Sequence, residues 1–174
     1  MRKVLVVVDM QKDFVDGALG SNEAVAIVDN VVNKINEFDG EIIVTYDTHQ
    51  DNYMETREGK YLPVPHCIEN TDGWELNHKV AKALNNKREI TIVRKPTFGS
   101  TELVKLFSYE DEKEIEVTLI GLCTDICVVS NAMLLKANYP EMNIIVDANC
   151  CAGVTPESHN AALTTMKMCQ IDIM

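Results

Sequence analysis

Residues 4–9 of the chain read VLVVVD, and this stretch decides the fold class. Val4 to Val8 are an unbroken run of β-branched and aliphatic side chains, without the alternation expected of a strand that has one face in water. Such a run is typical of a parallel strand that is buried on both faces of a sheet. Apolar side chains then recur at helical spacing across residues 25–35. The chain therefore opens with a strand that is followed by a helix.

The alternation of strand and helix continues to the end of the chain. Further strands are predicted at residues 41–46, 90–93, 116–120, 143–146 and 171–174, and further helices at residues 76–84, 102–107, 125–137 and 156–168. This order predicts an α/β fold, a three-layer α/β/α sandwich with a central, mainly parallel six-stranded sheet. The length predicts a single domain over residues 1–174. Residues 47–75 are expected to form a long polar loop, and such loops are usually functional.

Composition and charge exclude several classes of protein. The formal net charge of -11 argues against nucleic acid or an anionic membrane as a partner, because both require a basic surface. No apolar run reaches the roughly 18 residues of a membrane span. The N-terminal run breaks at Asp9, too early for a signal peptide, so a cytoplasmic location is expected. The six cysteines should stay reduced there, and the absence of a CxxC pair argues against a structural zinc site built of cysteines.

Chemically active side chains interrupt the apolar pattern where the strands end. They are Asp9 after the first strand, Asp47 and His49 after the second, Lys95 after the third, and Cys123 and Cys127 after the fourth. Ligands of open α/β sheets bind beyond the carboxyl ends of the strands. We therefore expect an acid, a base, a thiol and a pair of metal ligands to meet at one edge of the sheet.

Cys127 has two interpretations. Cytosolic cysteines are commonly small buried hydrophobes. Cys127, however, is predicted near the start of a helix, where backbone N–H groups favour a thiolate and can hold an oxyanion. A nearby Lys95 would lower the thiol pKa and keep Asp9 ionised, so that Asp9 could act as a general base. Taken singly, Lys95 would be a solvated surface residue and Asp9 a capping residue. The spacing of Cys123 and Cys127 is not that of a redox pair.

A second group of side chains fits a metal site. Asp47 and His49 form a D-x-H pair, and His66 follows in the same long loop. One carboxylate and two imidazoles, with solvent completing the shell, suit zinc, iron or manganese. Glu58 is a further candidate ligand, and the alternative is a polar loop with unrelated histidines. The other two histidines fall on predicted helices and are expected at the surface: His78 and His159.

Five motifs resemble those of a known family. VVVDMQKDF, YDTH, PHCIENTDGWEL, RKPTFGST and GLCTDICV occur in the order and at the spacing found in the isochorismatase-like cysteine hydrolases. The resemblance extends from Val4 to about Met168, and the DTH and PHC motifs are similar to those of the metal-binding nicotinamidase/pyrazinamidase branch. It implies an amidohydrolase that converts nicotinamide and water to nicotinic acid and ammonia through a cysteine thioester. It also implies a role in NAD salvage, a divalent metal that is zinc, iron or manganese, and a homo-oligomer, a dimer or tetramer.

The resemblance implies roles for individual residues at the thiol. Asp9, Lys95 and Cys127 would form the catalytic triad, with Cys127 as the nucleophile. In the family, the peptide bond before position 123 is cis. The backbone N–H groups of Cys123 and Cys127 would form the oxyanion hole.

The resemblance also implies metal ligands and a substrate pocket. The implied metal ligands are Asp47, His49, His66 and, as in some members, Glu58. The tryptophan that commonly precedes the proline–histidine segment in this branch is absent here. The implied pocket residues are Phe14, Tyr61 and Leu62.

Other functions remain compatible with these residues. The same triad would serve a hydrolase of another small amide, or of a carbamoyl or ureido compound. A non-catalytic ligand-binding homologue is a further alternative. The expected partner is a small molecule, an amide if the chain is an enzyme, rather than nucleic acid or a membrane.

Overall fold

Six strands form one sheet in the computed structural model, which describes residues 1–108 and 111–174. The strands are β1 (Arg2–Val8), β2 (Glu41–Asp47), β3 (Ile90–Lys95), β4 (Ile115–Leu122), β5 (Asn143–Ala152) and β6 (Asp172–Ile173). Their order in the sheet is β3-β2-β1-β4-β5-β6, and each neighbouring pair of these strands is parallel. The predicted α/β fold with six strands is confirmed.

Helices lie on both faces of this sheet. They are α1 (Lys12–Val15), α2 (Asn22–Glu37), α3 (Arg57–Tyr61), α4 (His78–Leu84), α5 (Thr101–Lys105), α6 (Val129–Asn138) and α7 (Pro156–Met168). Buried side chains of α2 and α4 join one apolar core, and those of α5, α6 and α7 join a second core on the opposite face. The sheet is therefore the middle layer of three.

Strand β1 contributes side chains from its apolar run to both cores. Leu5 and Val7 belong to the core under α2, whereas the three alternate valines of the strand belong to the other core. All five side chains are fully buried. Burying each such side chain stabilises the fold by about 1.5–3 kcal/mol before the entropy of ordering is counted. The run is continuous because both faces of the strand are buried, as predicted from the sequence.

The path of the chain creates a crevice beside β1. The chain runs from β1 to β2 and β3 on one side, then crosses to β4 on the other side of β1. Ligands of such sheets bind at this reversal, beyond the carboxyl ends of the strands. Asp9 follows β1 directly, while Asp47 and Lys95 are the last residues of β2 and β3.

Two predicted elements differ in the structure. The helix expected at residues 125–137 is wrong in its first turn, because Thr124–Val128 form a π-helical turn before α6 begins. In this turn the N–H of Val128 donates to the carbonyl of Cys123, five residues back, at 3.0 Å. Such wide turns are frequent at functional sites. The long loop at residues 47–75 contains α3 and two 3-10 turns, Tyr53–Glu55 and Asp72–Trp74.

A membrane-spanning helix is not found among residues 1–108 and 111–174, since every helix there is too short or too polar to cross a bilayer.

Candidate active site

Asp9 is fixed in the crevice by the neighbouring strand. Its φ of 47° lies in the left-handed region that residues other than glycine seldom adopt. The backbone N–H of Asp9 donates to the carbonyl of Thr45 at 3.2 Å, and the Thr45 hydroxyl donates to Oδ1 of Asp9 at 2.6 Å. The side chain is fully buried. Strained backbone of this kind persists where the surroundings enforce it, commonly at functional sites.

Lys95 forms a buried ion pair with Asp9. Its side chain is 1% exposed, and Nζ lies 2.6 Å from Oδ2 of Asp9 and 3.4 Å from Sγ of Cys127. Burial alone would lower the pKa of this lysine, but the charge of Asp9, with further contributions from Cys127 and Asp47, raises it well above the usual value. Lys95 is therefore a permanent cation beside the thiol.

Burial changes the pKa of the Asp9 carboxyl more than the charge of Lys95 does. It raises the pKa of Asp9, whereas the positive charge of Lys95 opposes the rise. The net direction is upward from the ordinary value of 3.8. A carboxylate with a raised pKa is a better proton acceptor than an exposed aspartate.

Burial dominates the environment of the Cys127 thiol, although a helix-start position by itself favours a thiolate. Burial raises its pKa well above the ordinary value, and the charge of Asp9 raises it further, whereas Lys95 lowers it. The loss of hydration therefore outweighs the effect of the Lys95 cation on the pKa of the thiol. The Leu122–Cys123 peptide bond is cis, as the resemblance implies.

Four side chains converge beside the ion pair. Asp47, His49, Glu58 and His66 each offer a ligand atom, and these atoms all lie within 4.8 Å of one another. Nε2 of His49 is 3.0 Å from Oδ2 of Asp47 and 3.6 Å from Oε1 of Glu58. Nε2 of His66 is 3.6 Å and 3.7 Å from the same two oxygens. The sequence-predicted ligands, including Glu58, therefore face a common centre.

These separations fit a divalent metal. Zinc binds nitrogen and oxygen at about 2.0–2.2 Å, so neighbouring donors of a tetrahedral site lie roughly 3.3–3.6 Å apart. Nδ1 of His66 is 2.8 Å from the carbonyl of Val64, which leaves Nε2 for a ligand. Although burial raises the pKa of Asp47, hydrogen bonds from both histidines and the charge of Lys95 lower it overall. A donor set of two carboxylates and two imidazoles suits zinc, iron or manganese.

The side chain of Gln11 holds Asp47 by its backbone. Nε2 of Gln11 donates to the carbonyls of Asp47 and Trp74, each at 2.8 Å, and the N–H of Asp47 donates to Oε1 of Gln11 at 2.8 Å. Gln11 is fully buried. Gln11 was not predicted from the sequence, because its only signal is a polar side chain two positions after Asp9.

A cleft of about 350 Å³, including its open mouth, joins the thiol to the four-donor cluster. It is lined by Phe14, Leu19, Asp47, Glu58, Leu62, His66, Phe98, Cys123, Ile126 and Cys127. Phe14 packs beside His66, with ring centroids 5.4 Å apart. Phe98 was missed from the sequence, although an aromatic residue three positions after Lys95 could have indicated it. Because its lining includes Cys127 and three members of the four-donor cluster, a small molecule in the cleft would contact both groups.

Tyr61 was wrongly expected in this cleft. Its side chain is 78% exposed, and the guanidinium of Arg57 lies over its ring. Leu62, the residue that follows α3, lines the cleft together with Glu58. Tyr61 points to solvent instead.

The two remaining histidines differ from each other. His78 is exposed at the start of α4, as expected. His159 is half-buried, and its Nδ1 lies 2.7 Å from the hydroxyl of Thr124. The prediction that His159 is a surface residue was therefore wrong, since α7 brings it against the turn that precedes Cys127.

Known proteins resemble this chain along its length. The isochorismatase domain family model matches residues 3–174. The chain is 31% identical to the uncharacterized isochorismatase family protein PncA of Bacillus subtilis (strain 168), over 94% of this chain and 93% of that protein. It superposes on a nicotinamidase/pyrazinamidase PncA from Bacillus subtilis with a TM-score of 0.87, 26% identity and 99% of both chains covered. A pyrazinamidase of Pyrococcus horikoshii in complex with zinc gives a TM-score of 0.82, 27% identity, and coverage of 100% and 99%.

Proposed function

The chain belongs to the isochorismatase family, and on that premise we propose that it is a metal-dependent cysteine amidohydrolase that converts nicotinamide to nicotinic acid and ammonia. The observation that carries the proposal is the contact of the buried Asp9–Lys95 ion pair with the Cys127 thiol. The relatives named nicotinamidase or pyrazinamidase support the substrate class.

The proposed reaction begins with a proton transfer. Asp9 accepts the proton of Cys127, and the thiolate attacks the amide carbon to form a C–S bond. Lys95 remains protonated and offsets the negative charge that moves from the carboxylate to the sulfur. The raised pKa of the thiol makes this base necessary, because the free thiol carries little thiolate at neutral pH.

The tetrahedral intermediate then collapses. Its oxyanion would be held by the backbone N–H groups of Cys123 and Cys127, each worth roughly 3–4 kcal/mol of barrier. The C–N bond breaks, and ammonia leaves with the proton that Asp9 carried. Water next attacks the thioester while Asp9 accepts its proton, and nicotinic acid is released as Cys127 regains a proton.

The four-donor cluster would orient the ring. In the related branch a metal is thought to hold the pyridine nitrogen, and Asp47, His49, Glu58 and His66 would bind that metal here. The pyrazinamidase of Pyrococcus horikoshii solved with zinc supports this assignment. The aromatic walls of the cleft, Phe14 and Phe98, would cover the faces of a flat heteroaromatic ring.

We also propose the molecular context of this activity. The sheet that runs from residue 2 to residue 173 supports a single domain over the whole chain. All six cysteines are free, which supports action in the reducing cytoplasm.

The experiment is ammonia release from nicotinamide by the zinc-loaded protein. Cys127→Ala should lower kcat by at least about a thousandfold, since removal of a nucleophile removes the covalent route. Cys169→Ala, a cysteine at the end of α7, is the matched control and should keep wild-type turnover. If Cys127→Ala retains wild-type turnover, the assignment fails. If the wild type releases ammonia from other small amides, carbamoyl or ureido compounds but not from nicotinamide, the substrate is wrong and the triad stands.

A further inference from the structure

The nucleophile turn, residues 123–128, is closed by its own backbone. The N–H groups of Ile126 and Val128 both donate to the carbonyl of Cys123, at 3.1 and 3.0 Å. Cys127 lies within the turn, so the orientation of its sulfur and of its N–H depends on this short segment. A displacement of about 1 Å at a reacting group can cost about a hundredfold in rate.

Thr124 connects this turn to helix α7. Its side chain is fully buried, and its hydroxyl lies 2.7 Å from Nδ1 of His159 on α7. A buried hydroxyl without a partner is destabilising, typically by about 1–3 kcal/mol, so this hydrogen bond holds both side chains in place. The catalytic steps proposed above use neither of these residues.

A second contact ties the same turn to the same region. Both carboxylate oxygens of Asp125 accept from the N–H of Val154, each at 3.2 Å. Two consecutive side chains of the nucleophile turn therefore contact the segment from Val154 to His159. The turn is therefore held by a segment that does not line the cleft.

The local structure at the start of α7 places His159 close to Thr124. Thr155 and Ser158 cap the helix reciprocally, with each side chain accepting from the backbone N–H of the other, at 3.1 Å in both cases. A Cβ at Gly153 would lie 2.9 Å from Cα of His159, closer than such atoms approach. The absence of a side chain at position 153 therefore permits this approach of the helix.

We propose that His159 is a positioning residue of the reaction: through Thr124 it holds the nucleophile turn in the geometry that presents Cys127 and the oxyanion donors to the substrate. The inference rests on the proposed function for its kinetic readout. It assigns His159 no proton transfer and no contact with substrate. Its imidazole is uncharged at neutral pH, because burial lowers the pKa of His159 although the carboxylate of Asp125 raises it. The contact therefore adds orientation rather than charge beside the thiol.

The test is a double-mutant cycle with steady-state kinetics on nicotinamide. His159→Ala removes the imidazole, Thr124→Val removes the hydroxyl at constant shape, and the third variant combines both changes. Each single variant should lower kcat by about tenfold or more with KM within about twofold, and the double variant should fall no further than the singles. His159→Asn, which keeps a polar atom near the position of Nδ1, should recover most of kcat. His78→Ala, at an exposed position, is the matched control.

Three results would overturn the proposal. The first is wild-type kcat in both single variants. The second is an additive loss in the double variant, because independent effects would then explain both. The third is a loss of kcat that parallels a loss of folded protein in thermal melts, without recovery in His159→Asn. Thr124→Val keeps the branched shape of the side chain and creates no cavity, so it keeps the test decisive if His159→Ala does not fold.

A second readout separates this proposal from the proposed function. Alkylation of Cys127 by iodoacetamide, followed by mass spectrometry, reports the environment of the thiol without any substrate. If the wild type does not hydrolyse nicotinamide, the proposed function fails. The positioning role then still predicts that His159→Ala and Thr124→Val change the alkylation rate of Cys127 by the same factor, and equal rates in wild type and variants would refute it.

Discussion

Nζ of Lys95 lies 3.3 Å from Oδ1 of Asp47, while the other oxygen of Asp47 faces the two histidines of the four-donor cluster. One carboxylate therefore belongs both to the four-donor cluster and to the charge network of the thiol. A positive charge bound at the cluster should change the electrostatic potential at Lys95, because the two groups are buried and close. Metal binding at the cluster would therefore be linked to the reactivity of the thiol.

This shared carboxylate predicts different effects for two ligand variants. His49→Ala should weaken only zinc binding. Asp47→Asn should weaken zinc binding and also remove a negative charge from beside Lys95. Both should lose about 10- to 100-fold or more in zinc affinity, measured by competition with a chromophoric chelator. His78→Ala, an exposed histidine, should bind zinc as the wild type does. Unchanged zinc affinity in His49→Ala would remove the cluster as the metal site.

Protonation of Asp9 should abolish the activity at low pH, and this loss defines the acid limit of the reaction. The ionised carboxylate is the active form, so kcat/KM should be full above the pKa of Asp9 and lost as the pH falls through it. Since burial raises this pKa above 3.8, the loss should occur above pH 3.8. Removal of the cation in Lys95→Gln should move the limit to higher pH, because Lys95 lowers the pKa of Asp9.

The measurement is the pH profile of kcat/KM at saturating zinc. Zinc content is followed across the same range, so that loss of metal is not mistaken for protonation of Asp9. An acid limit at or below pH 3.8, or a shift to lower pH in Lys95→Gln, would contradict the role of Asp9 as base.

Gln11 should matter for the metal although it does not bind it. Gln11→Leu removes three hydrogen bonds at Asp47 and Trp74, so the Asp47 carboxylate should lose its fixed direction. We expect zinc affinity to fall by about 10- to 100-fold, as for other groups that orient ligands. Gln11→Glu should be worse, because a carboxylate oxygen would face two carbonyls. The control is Gln50→Leu, an exposed glutamine bonded to Glu69. Wild-type zinc affinity in folded Gln11→Leu would refute the prediction.

The cleft predicts which aromatic residues bind the substrate. Phe98 lines the cleft and is 44% exposed, so Phe98→Ala should raise KM for nicotinamide by about fivefold with a smaller effect on kcat. Tyr61→Ala should leave both constants within about twofold, since that ring lies in solvent. The two variants are compared by initial rates of ammonia release. An equal rise of KM in both variants would show that Tyr61 contacts the substrate during the reaction.

Much of the fold could be predicted because its causes are local. The run from Val4 to Val8 identifies a two-sided strand through the order of its side chains alone, and the helical periodicity of residues 25–35 has its counterpart in α2. The helix expected at residues 125–137 was wrong only where it begins. There the chain must leave β4 and present Cys127, and a π-helical turn meets both demands.

The sequence by itself determined which residues reach the functional edge. Asp9, Asp47, Lys95 and Cys127 lie at or just beyond the ends of parallel strands, and parallel strands bring their carboxyl ends together whatever the packing. The resemblance of the motifs indicated the four ligand candidates, of which Asp47 ends β2 and the other three lie in the loop that follows.

Only the tertiary structure decided how these side chains behave. The pKa of Cys127 depends on how much water the folded protein removes, and that loss outweighs the neighbouring Lys95. Tyr61 was expected in the cleft but lies in solvent, whereas Phe98 lines the cleft without having been predicted. Helix direction and loop path, rather than residue type, set the orientation of these rings. Gln11 contacts Asp47 from 36 positions away in the sequence, and His159 contacts Thr124 from 35 positions away. Contacts between distant segments arise from packing, which local patterns do not encode.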